Sequence, residues 1–299
     1  MTSVPAAVEP PLRESPGRRL AGFFFRHPRA GLAALLAGPI GWLLLAYLGS
    51  LAVLLLAAFW QTDEFTSEVV HSFTLDNFRN LWEREVFRDV TWRTVRMAAL
   101  VTVADAVLAF PIAYYMARVA STRMRNVLVV AVLMPLWASY LVKAYAWRTM
   151  LANGGVLDWA LGPIGLSGPG YTEAGLWLVF TYLWLPFMIL PIYAGLERIP
   201  SSLLEASADL GARSVRTFAR VVLPLVFPAV VAGSIFTFSL TLGDYIAPGL
   251  ITSEQFIGTV IYSIRGQALP TAAAFTLVPV AIMILYLLVA RRLHAFDAL

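Results

Sequence analysis

The sequence contains no cysteine and only three histidines, at positions 27, 71 and 294. The lack of cysteine excludes disulfides, iron–sulfur clusters and thiolate chemistry, and the wide spacing of the histidines predicts no metal site. Lysine is equally scarce: Lys143 is the only one, and valine precedes it. A P-loop needs a Gly-Lys pair to hold phosphates, so this chain cannot hydrolyse ATP by itself. We expect no cofactor on this chain, no catalytic residues and no nucleic-acid partner.

Charge is also low, at 13% of residues, whereas 59% are hydrophobic and the mean hydropathy is +0.74. An apolar helix of about 20 residues spans the roughly 30 Å hydrocarbon layer of a bilayer. Six runs of about this length or longer occur, at 32–60, 95–116, 127–150, 174–196, 221–247 and 272–290. The composition therefore predicts an all-α membrane protein with six transmembrane helices.

Arginine is distributed unevenly between the connecting segments. It is frequent in 1–31, 117–126, 197–220 and 291–299, whereas 151–173 and 248–271 together contain one basic residue, Arg265. Basic residues favour the cytoplasmic side, so we expect both termini to be cytoplasmic. The predicted organisation is a flexible basic tail at 1–31, then a membrane domain at 32–296 that includes a cytoplasmic loop at 197–224. Segment 61–94 is predicted to be partly helical along the outer interface.

The stretch "EASADLGARSVRTFARVVLP", residues 205–224, is unusually polar for this chain. Ser202 and Glu205 have capping-box spacing, which predicts a helix start, and Gly211 is a typical helix terminator. A second short helix is predicted from Ser214, and Leu223-Pro224 is predicted to open the fifth span. One alternative is a simple amphipathic loop whose arginines contact lipid phosphates.

The spacing of this stretch resembles the E-A-A-x3-G-x9-I-x-L-P loop of bacterial ABC importer permeases. Glu205, Gly211 and Leu223-Pro224 match, whereas Ser207 replaces an alanine and Val221 an isoleucine. The resemblance implies a helical loop that docks on a cytoplasmic ATPase. The residues it assigns to that coupling surface are Glu205, Ala206, Ser207, Gly211, Leu223 and Pro224.

The same resemblance extends over about residues 30–295. The segments "TVRMAALVTVADAVLAFPIAYYMAR", "MPLWASYLVKAYAWRTMLANGGVLD" and "SLTLGDYIAPGLI" are similar to spermidine/putrescine permeases, in particular to the first of the two permease subunits. This implies the type I ABC importer permease fold in a bacterial inner membrane. The implied partners are an ABC ATPase dimer that binds ATP and Mg, a second related permease and an extracytoplasmic solute-binding protein.

Several residues are candidates for a substrate pathway. Asp105 lies near the middle of the second span, where an ionisable group is costly unless it faces water or a partner. A stripe of small and polar residues follows helical spacing in the fifth span, and aromatic faces suit a polycation through cation–π contacts. The pathway candidates are Asp105, Trp137, Trp184, Thr237, Thr241, Asp244 and Tyr245, with Gly233 at the start of the stripe.

Each candidate also has a purely structural interpretation. Asp105 could pair with Arg96, Asp244 could cap the loop after the fifth span, and the tryptophans could pack between helices. At the level of the whole chain, one alternative is a self-sufficient secondary transporter that uses Asp105 and Asp244, and another is an ABC importer permease for a different small organic solute. An enzyme is disfavoured because no catalytic set of residues occurs.

Overall fold

The computed structural model describes residues 25–63, 66 and 68–292. Most of the predicted tail, 1–24, lies outside the described residues, and the tail boundary at 31 stays a prediction. By its internal contacts the chain divides into two units, 1–56 and 57–299.

The first unit contributes one long helix, α1 (Arg29–Ala57). Only 6% of its most apolar window is buried within the protein, so its leucine-rich surface needs a lipid or protein environment. Pro39 lies inside this helix, and a π-helical turn at Leu43–Leu48 follows it. A proline interrupts the regular hydrogen-bond ladder, and a wider turn is a common local adjustment to such an interruption.

The described part of the second unit contains two short strands and eleven further helices. The strands β1 (Gln61–Thr62) and β2 (Val69–Val70) pair antiparallel, with Gln61 opposite Val70. In chain order the helices are α2 (Asp76–Glu83), α3 (Glu85–Val119), α4 (Thr122–Trp137), α5 (Tyr140–Leu151), α6 (Val156–Leu161), α7 (Glu173–Glu197), α8 (Ser201–Asp209), α9 (Ser214–Gly243), α10 (Ile246–Ile251), α11 (Ile257–Ile264) and α12 (Leu269–Arg292).

Helices α3, α7 and α9 form the centre of this unit, and their buried faces share one apolar cluster that includes Met116, Ile192 and Val226. The close approach of α7 and α9 depends on Gly233, since a Cβ there would lie 2.8 Å from Met188 Sδ and 3.3 Å from Met188 Cα. Small residues matter at such contacts because helices in a membrane associate through close packing and polar contacts more than through the hydrophobic effect.

The third predicted span, 127–150, is not one continuous helix as expected. The structure divides it into α4 and α5, which meet at an angle of 93°. Ala138 and Ser139 between them have extended backbone, and Pro135 removes a backbone donor from the last turn of α4. Apolar composition predicted the length of this segment correctly, but hydropathy contains no information about a bend.

The fold class is confirmed: within the described residues, five helices are long and apolar enough to cross a membrane, or six if the bent pair counts as one span. The main errors concern where spans begin. Helix α3 starts at Glu85 rather than at 95, and α9 starts at Ser214 rather than at 221. Both helices extend beyond their apolar windows because helix geometry continues into polar sequence when nothing interrupts it.

Segment 61–94 contains the predicted helix, α2, and also the unexpected strand pair. Asn77 of α2 is buried and donates hydrogen bonds to the carbonyls of Ala58 and Trp60, at 3.0 and 2.8 Å. Its side-chain oxygen accepts from the hydroxyl of Thr271, at 3.0 Å. This single side chain therefore connects the chain before β1 to the start of α12.

Candidate functional site

The polar loop between α7 and α9 folds as a helix, a sharp bend and the start of a second helix. Helix α8 ends in a Schellman motif: Gly211 N–H donates to the Ala208 carbonyl at 2.8 Å, and Ala212 N–H donates to the Ser207 carbonyl at 3.1 Å. Gly211 has φ = +75°, in the left-handed region that favours glycine. The predicted role of Gly211 as helix terminator is confirmed.

Two details of this loop differ from the sequence prediction. Helix α8 begins at Ser201 with Pro200 in the N-cap position and no side-chain cap, so the predicted Ser202–Glu205 capping box is wrong. The second helix begins at Ser214 as predicted, but it is not a separate short helix. It is the first part of α9 and continues through a π-helical turn at Phe218–Val222 without interruption. The fifth span therefore extends directly into the loop, and Leu223-Pro224 lies within it. The π turn ends two residues before Pro224. Proline cannot donate a backbone hydrogen bond, and a wider turn is a common local adjustment to such a gap.

The two helices of the loop are joined by a side-chain contact. The hydroxyls of Ser207 on α8 and Thr217 on α9 lie 2.8 Å apart, within hydrogen-bond distance. One residue further on, the ring of Phe218 packs edge-on against Phe110, at 5.3 Å, and Tyr114, at 6.0 Å, both on α3. The loop is thus fixed internally and against the end of α3.

Two arginines that were not singled out from the sequence anchor the base of the loop. Arg118, in the last turn of α3, donates to the carbonyls of Leu196 and Ile199, the latter at 2.7 Å. Arg125 on α4 donates to the Met116 carbonyl at 3.1 Å and lies 3.5 Å from Glu197. These contacts add side-chain donors to carbonyls at or just beyond helix ends, where the intrahelical hydrogen bonds run out. An arginine in the last turn of a span is a weak sequence signal for this role.

The outward face of the loop is apolar at its tip and basic at its side. Leu210 and Val215 are 88% and 79% exposed. Glu205 and Ala206 are exposed on α8, and Ser207 is half-buried. A shallow groove of about 560 Å³ next to them is lined by Gly211, Arg213, Val215, Arg216, Ala219 and Arg220. Leu210 lies between α8 and α9, and Val215 lies in the first turn of α9.

A second groove, of about 350 Å³, lies where the bend between α4 and α5 meets the end of α9. Its lining brings together three predicted pathway residues, Trp184, Asp244 and Tyr245. The other five lining residues were not pathway candidates, and two of them, Tyr140 after the bend and Ser239, carry hydroxyl groups. The full lining is Tyr140, Trp184, Ser239, Leu240, Gly243, Asp244, Tyr245 and Ile246.

Asp244 is held firmly in this groove. Its Oδ1 accepts from the backbone N–H groups of Ile246, at 2.7 Å, and Ala247, at 3.2 Å, and its Oδ2 accepts from the Tyr140 hydroxyl. The interpretation of Asp244 as a cap is therefore confirmed, since it satisfies the first N–H groups of α10. Tyr140 also stacks on Trp184, with centroids 5.9 Å apart. The result is a carboxylate beside two aromatic faces.

The threonines of the α9 polar stripe do not line this groove, and a pathway role for Thr237 and Thr241 stays a prediction. Thr237 and Thr241 are buried, and Thr237 Oγ1 lies 3.3 Å from Thr102 Oγ1 on α3. The helix presents Ser239, Leu240 and Gly243 to the groove instead. Asp244 falls outside the stripe because the helix ends at Gly243 and the backbone of Asp244 is extended. Continuing helical spacing past that end produced the error.

Asp105 and Trp137 also lie apart from this groove. Trp137 is 88% exposed at the end of α4. Asp105 is completely buried in α3, and neither carboxyl oxygen has a hydrogen-bond partner within the described residues. The suggested pairing of Asp105 with Arg96 is wrong, since Arg96 forms an ion pair with Glu173. A pathway role for Asp105 and Trp137 stays a prediction.

These features define the class: a multi-pass helical membrane protein with a polar helical loop at one end of its spans. Residues 109–296 match the family described as "Binding-protein-dependent transport system inner membrane component". The chain belongs to this family of ABC importer permeases and is a multi-pass inner-membrane protein.

Two curated relatives show how similar the chain is to other members. The inner membrane ABC transporter permease protein YdcU of Escherichia coli K12 is 49% identical over 96% of this chain and 98% of its own length. The spermidine/putrescine transport system permease protein PotB of the same organism is 29% identical, over 80% of this chain and 89% of its own.

The fold is also that of a solved structure. A bacterial ABC transporter involved in import of the acidic polysaccharide alginate aligns with a TM-score of 0.67 over 92% of this chain and 99% of that one, at 20% identity. A second structure of a bacterial alginate transporter, in complex with a pentasaccharide-bound periplasmic protein, gives a TM-score of 0.68 at 20% identity, over 91% of this chain and 96% of that one. At this identity the comparison concerns the fold alone.

Proposed function

We propose that this chain is the permease subunit of an ATP-driven importer for polyamines of the spermidine/putrescine type. The observation that carries the cargo assignment is the groove in which the Asp244 carboxylate lies beside Tyr140, Trp184 and Tyr245. A carboxylate paired with aromatic faces suits an aliphatic ammonium group, because each cation–π contact contributes about 0.5–2 kcal/mol. Contacts of that size hold a cargo and also release it.

The proposal includes the partners and the orientation. The loop at 197–224 faces the cytoplasm together with both termini, and its exposed tip docks on one subunit of an ABC ATPase dimer that binds ATP and Mg. This chain supplies no catalytic residue. A second, related permease completes the passage, and an extracytoplasmic solute-binding protein delivers the cargo. The binding-protein-dependent family of this chain supports such a partner.

In this mechanism ATP binding closes the ATPase dimer, and the loop transmits the movement to the spans. Helix α9 receives it directly, since the loop's second helix is the start of that span. Arg118 and Phe218 connect the loop to α3. The groove beside the broken span α4–α5 lies on the same helix α9, so movement of this helix changes the environment of Asp244.

The test is uptake of labelled spermidine by cells that express the complete transporter, with unlabelled putrescine, amino acids and sugars as competitors. Only polyamines should compete. A competing amino acid or sugar, or no uptake by an assembled complex, would replace the cargo assignment with another small organic solute. The PotB relatives support a polyamine at about 30% identity, whereas the name of the more similar YdcU specifies no cargo.

Asp244→Asn separates the charge of this residue from its structural role. The amide oxygen can still accept from the N–H groups of Ile246 and Ala247, so the start of α10 should be kept. Without the negative charge we expect spermidine uptake to fall about tenfold at low concentration, which corresponds to about 1.4 kcal/mol. The control is Asp89→Asn, an exposed acid outside the groove. Equal uptake by both variants would show that the charge of Asp244 does not contribute to binding of the cargo.

A further inference from the structure

A separate apolar groove of about 540 Å³ shares no lining residue with the groove of the polar loop or with the Asp244 groove. Helix α2 and the first turns of α3 form one wall, and α12 forms the other. The lining is Phe78, Leu81, Trp82, Phe87, Arg88, Thr91, Trp92, Val95, Ala274, Phe275, Leu277, Val278 and Ala281. Its size is within the range of small-ligand sites.

The depth of the groove follows from the helices that form it. Arg88 lies one turn after the start of α3 at Glu85, and α12 begins at Leu269, so the wall from Ala274 to Ala281 runs into the apolar part of that span. Trp82 and Trp92 on the rim are 77% and 68% exposed. Exposed tryptophan at the end of a span is typical of the lipid headgroup level. The groove therefore extends from the headgroup level into the hydrocarbon layer.

Arg88 is the only charged residue in this lining. Within the described part of the chain, its guanidinium takes part in no ion pair or hydrogen bond, whereas nearby Arg79 pairs with Glu83 and Arg93 with Glu173. A guanidinium binds phosphate with two parallel hydrogen bonds. An unpaired guanidinium at the headgroup level, above an apolar groove, has the charge distribution that complements a phospholipid.

From this geometry we infer that the groove is a binding site for one phospholipid. Its phosphate contacts Arg88, and one acyl chain lies between α3 and α12, against Phe275 and Val278. The bound lipid fills the space that these helices leave open and stabilises α2 against α12. This site is independent of the cargo and of the coupling loop.

The first test measures retained lipid in the complete transporter by native mass spectrometry after extensive detergent washing. The unmodified complex should retain one more phospholipid per copy of this chain than the Arg88→Gln complex. Arg84→Gln is the matched control, because Arg84 is a neighbouring exposed arginine outside the lining. Equal retention in the Arg88→Gln and Arg84→Gln complexes would overturn the proposal.

The second test identifies the occupant. A photo-crosslinking amino acid replaces Thr91, which lines the groove, and the transporter is irradiated in its membrane. The expected adduct has the mass of a phospholipid, and its yield should fall at least fivefold when Ala281→Trp fills the groove. An adduct with residues 29–57 of this chain or with the second permease would show that protein covers the groove, and would overturn the proposal.

Discussion

Gly211 determines the shape of the polar loop at 197–224. Its φ of +75° costs an ordinary L-residue about 1–2 kcal/mol. A Cβ at this position would meet nothing within 4 Å, so a substitution acts on the backbone and causes no collision. This distinguishes Gly211 from Gly233, where the neighbouring helix leaves no room for a side chain.

For Gly211→Val we expect ATP-driven uptake to fall at least tenfold with normal assembly, because valine is β-branched and avoids the left-handed region. Gly211→Asn is the matched control, since asparagine tolerates that region. The measurements are uptake and ATP turnover by the reconstituted transporter. If valine and asparagine gave the same uptake, the backbone conformation at Gly211 would be irrelevant to coupling.

Asp105 shows what the sequence cannot predict about a single residue. Its position in the second span pointed to a functional carboxylate, and the structure places it away from the groove, buried and without a hydrogen-bond partner in the described chain. A buried polar group without a partner costs about 1–3 kcal/mol. Sequence could identify this residue as costly, but no sequence pattern gives the direction of its side chain.

At the scale of elements, the Ser207–Thr217 contact determines how α8 sits against the start of α9. The serine stands where the family pattern has alanine, so this contact is a feature of this chain. A hydrogen bond of this kind contributes about 0.5–1.5 kcal/mol. It holds α8 against the start of α9, the two helices that we propose face the ATPase.

We expect Ser207→Ala and Thr217→Val each to lower the uptake per ATP hydrolysed about twofold to threefold. The double variant should be no worse than either single one, because both remove the same contact. Ser202→Ala, on the exposed part of α8, is the control. Additive losses in the double variant would mean that the two hydroxyls act independently.

The segment between α5 and α7 is organised by Asp158. Its carboxylate accepts from Gly154 N–H at 2.7 Å and from Gly168 N–H at 2.6 Å. These two hydrogen bonds hold the pKa of Asp158 below its usual value, and the one from Gly154 has the larger effect. Gly154, Gly165 and Gly170 have positive φ, as expected from the Gly-rich composition of this segment.

The lowered pKa gives a pH dependence with a definite sign. The stabilisation is complete above the unfolded value of about 4 and is lost as the pH falls through the lower folded value. A spin label at Leu166→Cys, in this cysteine-free chain, should become more mobile only below about pH 4. With Asp158→Asn it should be mobile already at pH 7. An immobile label at pH 7 in that variant would contradict the assigned role.

At the scale of the whole molecule, the two ends of the helix bundle are held together differently. At the end opposite the coupling loop, Arg93 contacts Glu173 and Glu254, at 3.0 and 2.9 Å, which connects α3, α7 and the chain before α11. At the loop end, Arg118 donates to the carbonyls of Leu196, in the last turn of α7, and of Ile199, just beyond that helix. The first end is held by ion pairs, which salt screens where they are open to water, and the loop end by hydrogen bonds to carbonyls.

Arg118 should therefore be needed for transmission from the loop to α3. For Arg118→Lys we expect the ATPase to lose at least half of its stimulation by the loaded binding protein. The shorter lysine side chain does not place its nitrogen where Arg118 Nη2 donates to both carbonyls. Arg123→Lys, exposed on α4, is the control. The measurement is ATP turnover with and without the binding protein. Full stimulation in Arg118→Lys would show that the Arg118 hydrogen bonds do not transmit movement from the loop to α3.

The sequence by itself determined the membrane class, the positions of the apolar segments and the position of the polar loop at 197–224. These depend on composition, on apolar length and on a spaced motif, all of which are local in the chain. The end of α8 at Gly211 could also be predicted, because the left-handed conformation selects glycine.

Only the tertiary structure decided which faces meet. The 93° bend at Ala138–Ser139 brings Tyr140 to Asp244, more than a hundred residues away in sequence. The rotation of α9 buries Thr237 and Thr241 against α3 and turns Ser239 toward the groove. The contacts of Arg118 with α7 depend on how two distant helix ends pack. Such pairings follow from the packing of several helices at once, which no local pattern in the sequence encodes.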